Sequence, residues 1–289
     1  MRLVLSRKGF DATSGGGASP ILPDGRMLML PIPEARGDGG TARYAELHDV
    51  DGTDYLSRLR ALGYTAFDRH STTHLDPDLV PSVRPRGPGW RGMLGQAGAA
   101  AAHLVNRGVG PGDLFLFWGR YAPVGTDERL PRSGHRHAVF GYLEVGGVVD
   151  VGSGEPLTAA PYHPHAAGAD RRPPDLVYVA TDRLTRHPEL PGWGVFRWAP
   201  RLQLTDPGNA GLGSWRLPGC FHPSTGTALS HHPPGAWSEP DGGGTVTVAR
   251  RGRGQEFVCE ASDEVVAWAL DLVVGSERWA PPDPVDRAR

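Results

Sequence analysis

The chain of 289 residues contains only two cysteines, Cys220 and Cys259. They form no C-x-x-C pair, which excludes the common thiolate zinc sites and dithiol redox motifs. Two buried free thiols are expected in a cytoplasmic protein, and one disulfide between them is the alternative.

The chain also has little net charge and no long apolar run. The chain has 30 basic and 32 acidic residues, a net charge of -2, and this balance provides no overall field to hold a nucleic-acid backbone. It argues against stable duplex DNA binding and favours a small-molecule or nucleotide substrate. No segment approaches the roughly 20 apolar residues of a membrane span, and the apolar run near Met1 is too short for a signal peptide. We therefore expect a cytoplasmic protein that does not enter a membrane.

Several familiar catalytic motifs are missing as well. The sequence has no G-x-S-x-G element and no evident Ser-His-Asp or Cys-His arrangement. Lys8 precedes the glycines at 15–17 instead of following them, so this segment is not a Walker A motif. The chain therefore shows no signature of a serine or cysteine hydrolase or of a P-loop enzyme.

Glycine and proline are abundant, with 41 and 28 residues, yet eight tryptophans and several apolar runs indicate a folded, loop-rich protein. Helical spacing and end signals predict helices over Asp54–Leu62, Gly92–Arg107 and Asp263–Val274. Apolar runs predict strands over Leu3–Leu5, Leu114–Trp118, His137–Val145, Val177–Ala180, Gly194–Trp198, Leu202–Leu204, Thr245–Ala249 and Glu256–Cys259. About three helices without regular β-α alternation predict an α+β fold around a mixed sheet. We expect a single domain over residues 1–280 and a flexible tail over 281–289.

The pair His74-x-Asp76 is the most informative feature of the sequence. In an extended segment, residues i and i+2 share a face, so the imidazole and the carboxylate can reach the same cation. Such ligands suit Fe(II), Mn or Zn, and a second histidine would complete a facial triad with open positions. The alternative is that Asp76 and Asp78 cap a turn and His74 only hydrogen-bonds nearby.

Three further histidines are candidates for the missing ligand. His137 is preferred because it opens a predicted central strand, and His165 is second. His163 and His165 flank Pro164, so their segment has little conformational freedom. Each histidine could instead be structural. A 2-oxoglutarate site is not favoured, because only a loose match to its His-and-Arg spacing is present.

The loop after the first predicted strand combines cations, hydroxyl groups and glycines. Arg7, Lys8 and Ser14 could bind a phosphate or carboxylate there, and a plain surface loop is the alternative. Asp11 in this loop and Asp78 beside the H-x-D pair are candidate catalytic carboxylates, and Asp11 is also a candidate metal ligand.

Two other residues could orient a base-like substrate. Gln96, expected on the second helix, could pair with a base edge, and Trp90 could stack on an aromatic ring. The alternatives are a structural cross-link for Gln96 and core packing for Trp90.

A series of segments resembles the nucleotide modification associated domain family, third type. It comprises Ser6-Arg7-Lys8-Gly9-Phe10-Asp11, His74-Leu75-Asp76-Pro77-Asp78, Gly89-Trp90, Gly95-Gln96, Gly112-Asp113-Leu114-Phe115-Leu116-Phe117, Phe140-Gly141-Tyr142, His163-Pro164-His165 and Gly254-Gln255-Glu256-Phe257-Val258. The matches follow in order over nearly the whole chain, which indicates one family-wide domain. The resemblance implies a role near nucleobase or nucleotide modification without specifying the step.

These observations lead to one functional hypothesis and several alternatives. The hypothesis is a metal-dependent enzyme, with Fe(II) expected and Zn or Mn as alternatives, that oxidises a nucleotide-like or other small polar substrate. It would act in base modification or in secondary metabolism. The alternatives are a metal-dependent hydrolase, a non-catalytic module that recognises modified bases, and a scaffold. The oligomeric state is left open by the sequence.

Overall fold

The structure is a computed structural model that describes residues 1–34, 42–167, 173–209, 211–227, 229–249 and 256–279. Four α-helices lie in these residues: α1 (Tyr55–Ala61), α2 (Gly98–Asn106), α3 (Pro164–Ala167) and α4 (Asp263–Gly275). The described strands are β1 (Arg2–Arg7), β2 (Ser19–Ile21), β3 (Ile32–Pro33), β4 (Ala42–Arg43), β5 (Thr72–His74), β6 (Met93–Ala97), β7 (Leu114–Pro123), β8 (Arg136–Val149), β9 (Asp175–Ala180), β10 (Trp193–Val195), β11 (Ser214–Pro218), β12 (Thr245–Ala249) and β13 (Glu256–Glu260).

A mixed sheet of eight strands forms the centre of the fold. Its order is β13-β1-β7-β8-β9-β6, while β10 pairs with β8 and β2 pairs with β7. Strand β1 runs parallel to β7, and the other pairs of the main path are antiparallel. Two small sheets, β3-β5-β4 and β11-β12, lie beside it. The α+β fold with a mixed sheet is therefore confirmed.

Strand β7 supports two earlier segments of the chain along one edge. Its first half pairs with β1, up to Arg7 opposite Trp118, and its second half pairs with β2, from Ser19 opposite Tyr121. Residues 8–18 leave the sheet between these two pairings and then return to it. Loops at the carboxyl ends of parallel strands are common ligand sites, because backbone and side-chain donors converge there. Lys8, one of the two cations that the sequence predicted for substrate binding, opens this loop, and the other, Arg7, ends β1.

The sheet is curved enough to bring its two ends together. Strands β13 and β6 stand at opposite ends of the strand order. Nevertheless, Gln96 Nε2 of β6 donates a hydrogen bond of 2.5 Å to Glu256 Oε1 of β13. Side chains from β1, β6 and β13 therefore face one another across the concave side of the sheet.

Two of the predicted helices form where they were expected. Asp54 caps α1 by accepting a 2.8 Å hydrogen bond from the Ser57 amide, and Ser262 caps α4 through the Val265 amide. Buried Leu, Val and Ala side chains of both helices join the hydrophobic core.

The predicted start of the second helix is wrong. Residues 93–97 form strand β6 and α2 begins only at Gly98, so Gln96 lies on a strand. Alanines at 97 and 99–102 favour a helix, but pairing with β9 and burial of Met93 and Leu94 determine the backbone of the preceding residues.

Other predicted elements differ in smaller ways. The predicted strand Leu202–Leu204 is wrong, because Pro200–Leu202 forms a 3-10 helix there. The predicted tail, 281–289, lies outside the described residues. No helix among the described residues has the length and apolar character of a membrane span.

Candidate metal centre

Three side chains converge on the concave side of the sheet: His74, Asp76 and His165. One ligand atom from each lies within 4.8 Å of the others. His74 is the last residue of β5 and Asp76 follows two residues later, while His165 lies on α3. The pair therefore converges as predicted, although Asp76 lies beyond the strand.

The two imidazoles face each other through their Nε2 atoms, which are 3.3 Å apart. His165 Nδ1 lies 2.6 Å from Asp175 Oδ1, and His74 Nδ1 lies 3.5 Å from Glu34 Oε1. An ionised carboxylate can only accept, so a ring that donates to it from Nδ1 would have its Nε2 lone pair free to bind a cation. Two nitrogens at about 2.0–2.1 Å from one cation would lie roughly 2.8–3.4 Å apart at octahedral to tetrahedral angles.

Asp76 is held in its charged form by its surroundings. Its Oδ1 accepts a 2.6 Å hydrogen bond from the Gly95 amide, and its Oδ2 lies 3.1 Å from Lys8 Nζ. Burial by itself would raise the pKa of Asp76, but the nearby positive charge, that of Lys8 first, lowers it to about 2. The carboxylate is therefore ionised at neutral pH, as a metal ligand must be.

Gly95 and Asp175 hold His165 in place. Antiparallel pairing of β6 with β9 sets Ala97 opposite Asp175, which places this carboxylate beside the imidazole. The ring lies directly over Gly95, and a Cβ at that position would overlap it. A metal-bound histidine typically donates its other N–H to a carboxylate in this way.

His163 supports the same carboxylate from inside the protein. It is fully buried, and its Nε2 lies 3.6 Å from Asp76 Oδ1. Its Nδ1 accepts a 3.4 Å hydrogen bond from the His165 amide. Burial lowers the pKa of His163 to about 3, although Asp76 opposes this effect. The structure thus brings His163 next to the cluster as a neutral ring.

Glu256 is a buried site residue to which the sequence reasoning assigned no role. Its Oε1 accepts from Ser6 Oγ at 3.0 Å and from Gln96 Nε2 at 2.5 Å, and Lys8 Nζ lies 3.9 Å away. Burial raises the pKa of Glu256 to about 7, although Lys8 and the Ser6 hydroxyl lower it in part. A charged residue directly before the apolar run Phe257–Cys259 was the available signal.

A cavity of about 210 Å³ opens onto the cluster. The sequence predicted seven residues for substrate binding or catalysis, and five of them lie in the wall of this cavity. Arg7, Lys8, Asp11, Ser14 and Gln96 all line it. We call it the metal-site cavity.

Asp11 organises the loop that forms one wall. Its Oδ1 accepts hydrogen bonds from the Thr13 amide and hydroxyl and from the Ser14 amide, and its Oδ2 lies 3.6 Å from Arg7. Burial raises the pKa of Asp11, but these hydrogen bonds and Arg7 together hold it below its usual value. Asp11 is outside the three-residue cluster.

His137, the preferred third ligand, lies elsewhere. Its Nδ1 accepts a 3.1 Å hydrogen bond from Trp215 Nε1, and its ring packs edge-on against Trp118. The structure therefore places the second choice, His165, beside His74 and Asp76 instead. His137 is the second residue of β8 and lines a different cavity, together with Trp118 and Arg120.

Asp78 and Trp90 form a separate buried network. Both Asp78 oxygens pair with the Arg86 guanidinium at 2.5 and 2.6 Å, and Trp90 Nε1 donates to the carboxylate at 3.3 Å. Arg86 also stacks over the Trp90 ring at 4.3 Å. Neither Asp78 nor Trp90 lines the metal-site cavity.

Comparison with known proteins gives one match. The profile described as nucleotide modification associated domain 3 matches residues 2–260. No curated protein and no solved structure matches the chain significantly. The match includes every residue of the cluster and of its supporting contacts. The chain belongs to the nucleotide modification associated domain 3 family.

Proposed function

We propose that the chain is a metal-dependent enzyme, with Fe(II) as the expected ion, that acts on a nucleotide-like or other small polar substrate. The observation that carries this proposal is the convergence of His74, Asp76 and His165, with both Nδ1 atoms directed at carboxylates. Two imidazoles and one carboxylate on one side of an ion form the facial arrangement of non-haem iron sites. The family's link to nucleotide modification supports the substrate class.

The surrounding residues have distinct roles in this proposal. Asp175 and Glu34 hold the imidazoles in the ligand tautomer, and the Gly95 amide orients Asp76. Lys8 lies between Asp76 and Glu256 and offsets their negative charge. The bound ion would supply open coordination positions for substrate, water or O2 on the cavity side.

Glu256 is suited to hold a proton near the site. With a pKa of about 7, it changes charge near neutral pH, and Ser6 and Gln96 both donate to its Oε1. A divalent ion would add positive charge close to Lys8 and so favour the ionised form of Glu256. Glu256 would thereby keep the buried charges in balance.

The set of donor atoms favours oxidation over hydrolysis only slightly, because zinc hydrolases also use nitrogen and carboxylate ligands. Metal identity therefore decides between the two. Iron would direct the search to O2-dependent chemistry, and zinc to hydrolysis or deamination.

One observation favours a second candidate, a non-catalytic module that recognises modified bases. Both oxygens of Asp76 already have partners, the Gly95 amide and the Lys8 ammonium. The charge of Lys8 therefore balances the carboxylate without a metal ion. Such a module would use Arg7, Lys8 and Gln96 to hold its ligand and would require no metal.

Elemental analysis of anaerobically purified protein separates these candidates. The wild type is expected to retain about one equivalent of iron per chain, and Asp76→Ala is expected to lose it. Asp182→Ala is the matched control, because the Asp182 side chain is 83% exposed and its ion pair, with Arg91 at 3.5 Å, lies away from the cluster. Absence of metal in the wild type after reconstitution with Fe(II), Mn and Zn would refute the enzyme proposal and favour the binding module.

A further inference from the structure

A second cavity of about 200 Å³ adjoins the metal-site cavity. The two share Arg7, Lys8 and Asp11 as walls, and the second is completed by side chains that include Trp118 and Arg120. We call it the Arg120 cavity. Each cavity alone is smaller than a typical ligand pocket of about 300–1,000 Å³, but together they reach that range.

The backbone packs tightly where the two cavities meet. The Lys8 amide donates a 2.8 Å hydrogen bond to the Trp118 carbonyl, and a Cβ at Gly119 would lie 2.7 Å from the Lys8 carbonyl oxygen. Glycine at 119 thus allows the end of β1 to rest directly on β7. This contact fixes Arg7 and Lys8 between the two cavities.

The Arg120 cavity is rich in cations. Arg7 and Arg120 line it, as does Lys8, whose ammonium pairs with Asp76, whereas Asp11 is its single lining carboxylate in the described part of the chain. Asp11 already receives three hydrogen bonds from its own loop. The charge of this cavity therefore favours an anion.

Several donors in this cavity still have bonding capacity. Arg120 Nε donates to His135 Nδ1 at 2.8 Å, but its terminal nitrogens have no hydrogen bond to any described residue. Among the described residues, Asp11 at 3.6 Å is the single ion-pair partner of the Arg7 guanidinium. The guanidinium groups of Arg7 and Arg120 thus have N–H donors available to oxygen atoms of one ligand.

We propose that the Arg120 cavity binds the phosphate of a phosphomonoester, such as a nucleoside monophosphate, whose reacting part enters the metal-site cavity. Guanidinium groups match the geometry of phosphate oxygens better than an ammonium does. The assignment of the reacting part rests on the proposed function, whereas the phosphate site rests only on the Arg120 cavity. The substrate is therefore a small anionic ester, recognised at two points on either side of Arg7 and Lys8.

Isothermal titration calorimetry tests the phosphate site. Wild type, Arg120→Gln and Arg120→Lys are titrated with inorganic phosphate, with the four ribonucleoside 5′-monophosphates and with the corresponding nucleosides. Arg120→Gln is expected to weaken binding of the tightest monophosphate by about 10- to 100-fold, through loss of a charge-assisted contact. Arg120→Lys, which keeps the charge but not the planar fork, is expected to lose less. Arg129→Gln is the matched control, since Arg129 is exposed on a neighbouring loop.

The outcomes separate this inference from the proposed function. Equal monophosphate affinity in wild type and both Arg120 variants would overturn the phosphate site, even if the wild type holds its metal. Binding of inorganic phosphate as tightly as any monophosphate would overturn the two-point substrate. Arg120-dependent monophosphate binding in a chain that takes up no metal would leave the phosphate site intact and refute the metal enzyme.

Discussion

The contact between His165 and Asp175 gives the sharpest prediction about the metal centre. Asp175 is 4% exposed, and its Oδ1 lies 2.6 Å from His165 Nδ1. In Asp175→Asn the amide oxygen can still accept from Nδ1, so the ring orientation survives while the negative charge behind it is lost. Loss of such a partner typically weakens metal binding by about 10- to 100-fold, or about 1.4–2.7 kcal/mol. Anaerobic competition of wild type and variant against a chelating dye measures this difference.

The other imidazole provides an internal comparison. Glu34 lies 3.5 Å from His74 Nδ1, a longer and weaker contact, so Glu34→Gln is expected to reduce metal affinity less than Asp175→Asn. Asp182→Asn, at an exposed position, is expected to change nothing. Unchanged metal affinity in Asp175→Asn, with the fold retained, would refute the assignment of His165 as a ligand.

Three further predictions concern the supports of the site and the fold. Gly95→Ala is expected to displace the His165 ring and to abolish near-stoichiometric metal binding, measured by elemental analysis, because a Cβ would overlap that ring. Glu256→Gln is expected to remove a pH dependence of the metal-free protein. Because the pKa of Glu256 is raised to about 7, its contribution to stability is lost as pH rises through 7. The difference in unfolding free energy between wild type and Glu256→Gln is therefore expected to change by about 2–3 kcal/mol between pH 5 and 8, measured by urea unfolding. Arg86→Met is expected to cost about 3–5 kcal/mol of unfolding free energy in the same assay, because it leaves the Asp78 carboxylate buried without its cation.

Each of these predictions has a control or a contradicting result. Gly147→Ala is the control for Gly95→Ala, since a Cβ at Gly147 would meet no atom within 4 Å. An unfolding free energy with the same pH dependence in wild type and Glu256→Gln would show that the buried carboxyl does not take up a proton on folding. Stability of Arg86→Met within about 1 kcal/mol of wild type would contradict the buried ion pair.

The sequence identified part of the site because its local spacing carries the relevant information. His74 and Asp76 are two residues apart, so they lie close together regardless of how distant segments of the chain pack. The third histidine depends on tertiary contacts: α3 rests on β6, and β9 supplies Asp175. The packing of β6 against α3 and β9 joins segments far apart in sequence. The position of His137 at the start of a predicted strand therefore did not show whether it would lie beside His74 and Asp76.

The fold was predictable where local signals and packing agree. Asp54 and Ser262 cap helices as expected, and the apolar runs at 114–118 and 137–145 form the two longest described strands of the sheet. At Met93–Gln96 the neighbouring alanines favour a helix, but pairing with β9 imposes a strand. The role of Glu256 could not be predicted, since its partners Ser6 and Gln96 come from other strands of a curved sheet.

The most direct test of the metal centre counts Fe(II) ions bound per chain under anaerobic conditions in wild type, His165→Ala and His137→Ala. The arrangement of His74, Asp76 and His165 predicts one ion in the wild type and in His137→Ala, and little or none in His165→Ala. Retention of the ion by His165→Ala together with its loss from His137→Ala would contradict this centre and would restore His137 as the third ligand.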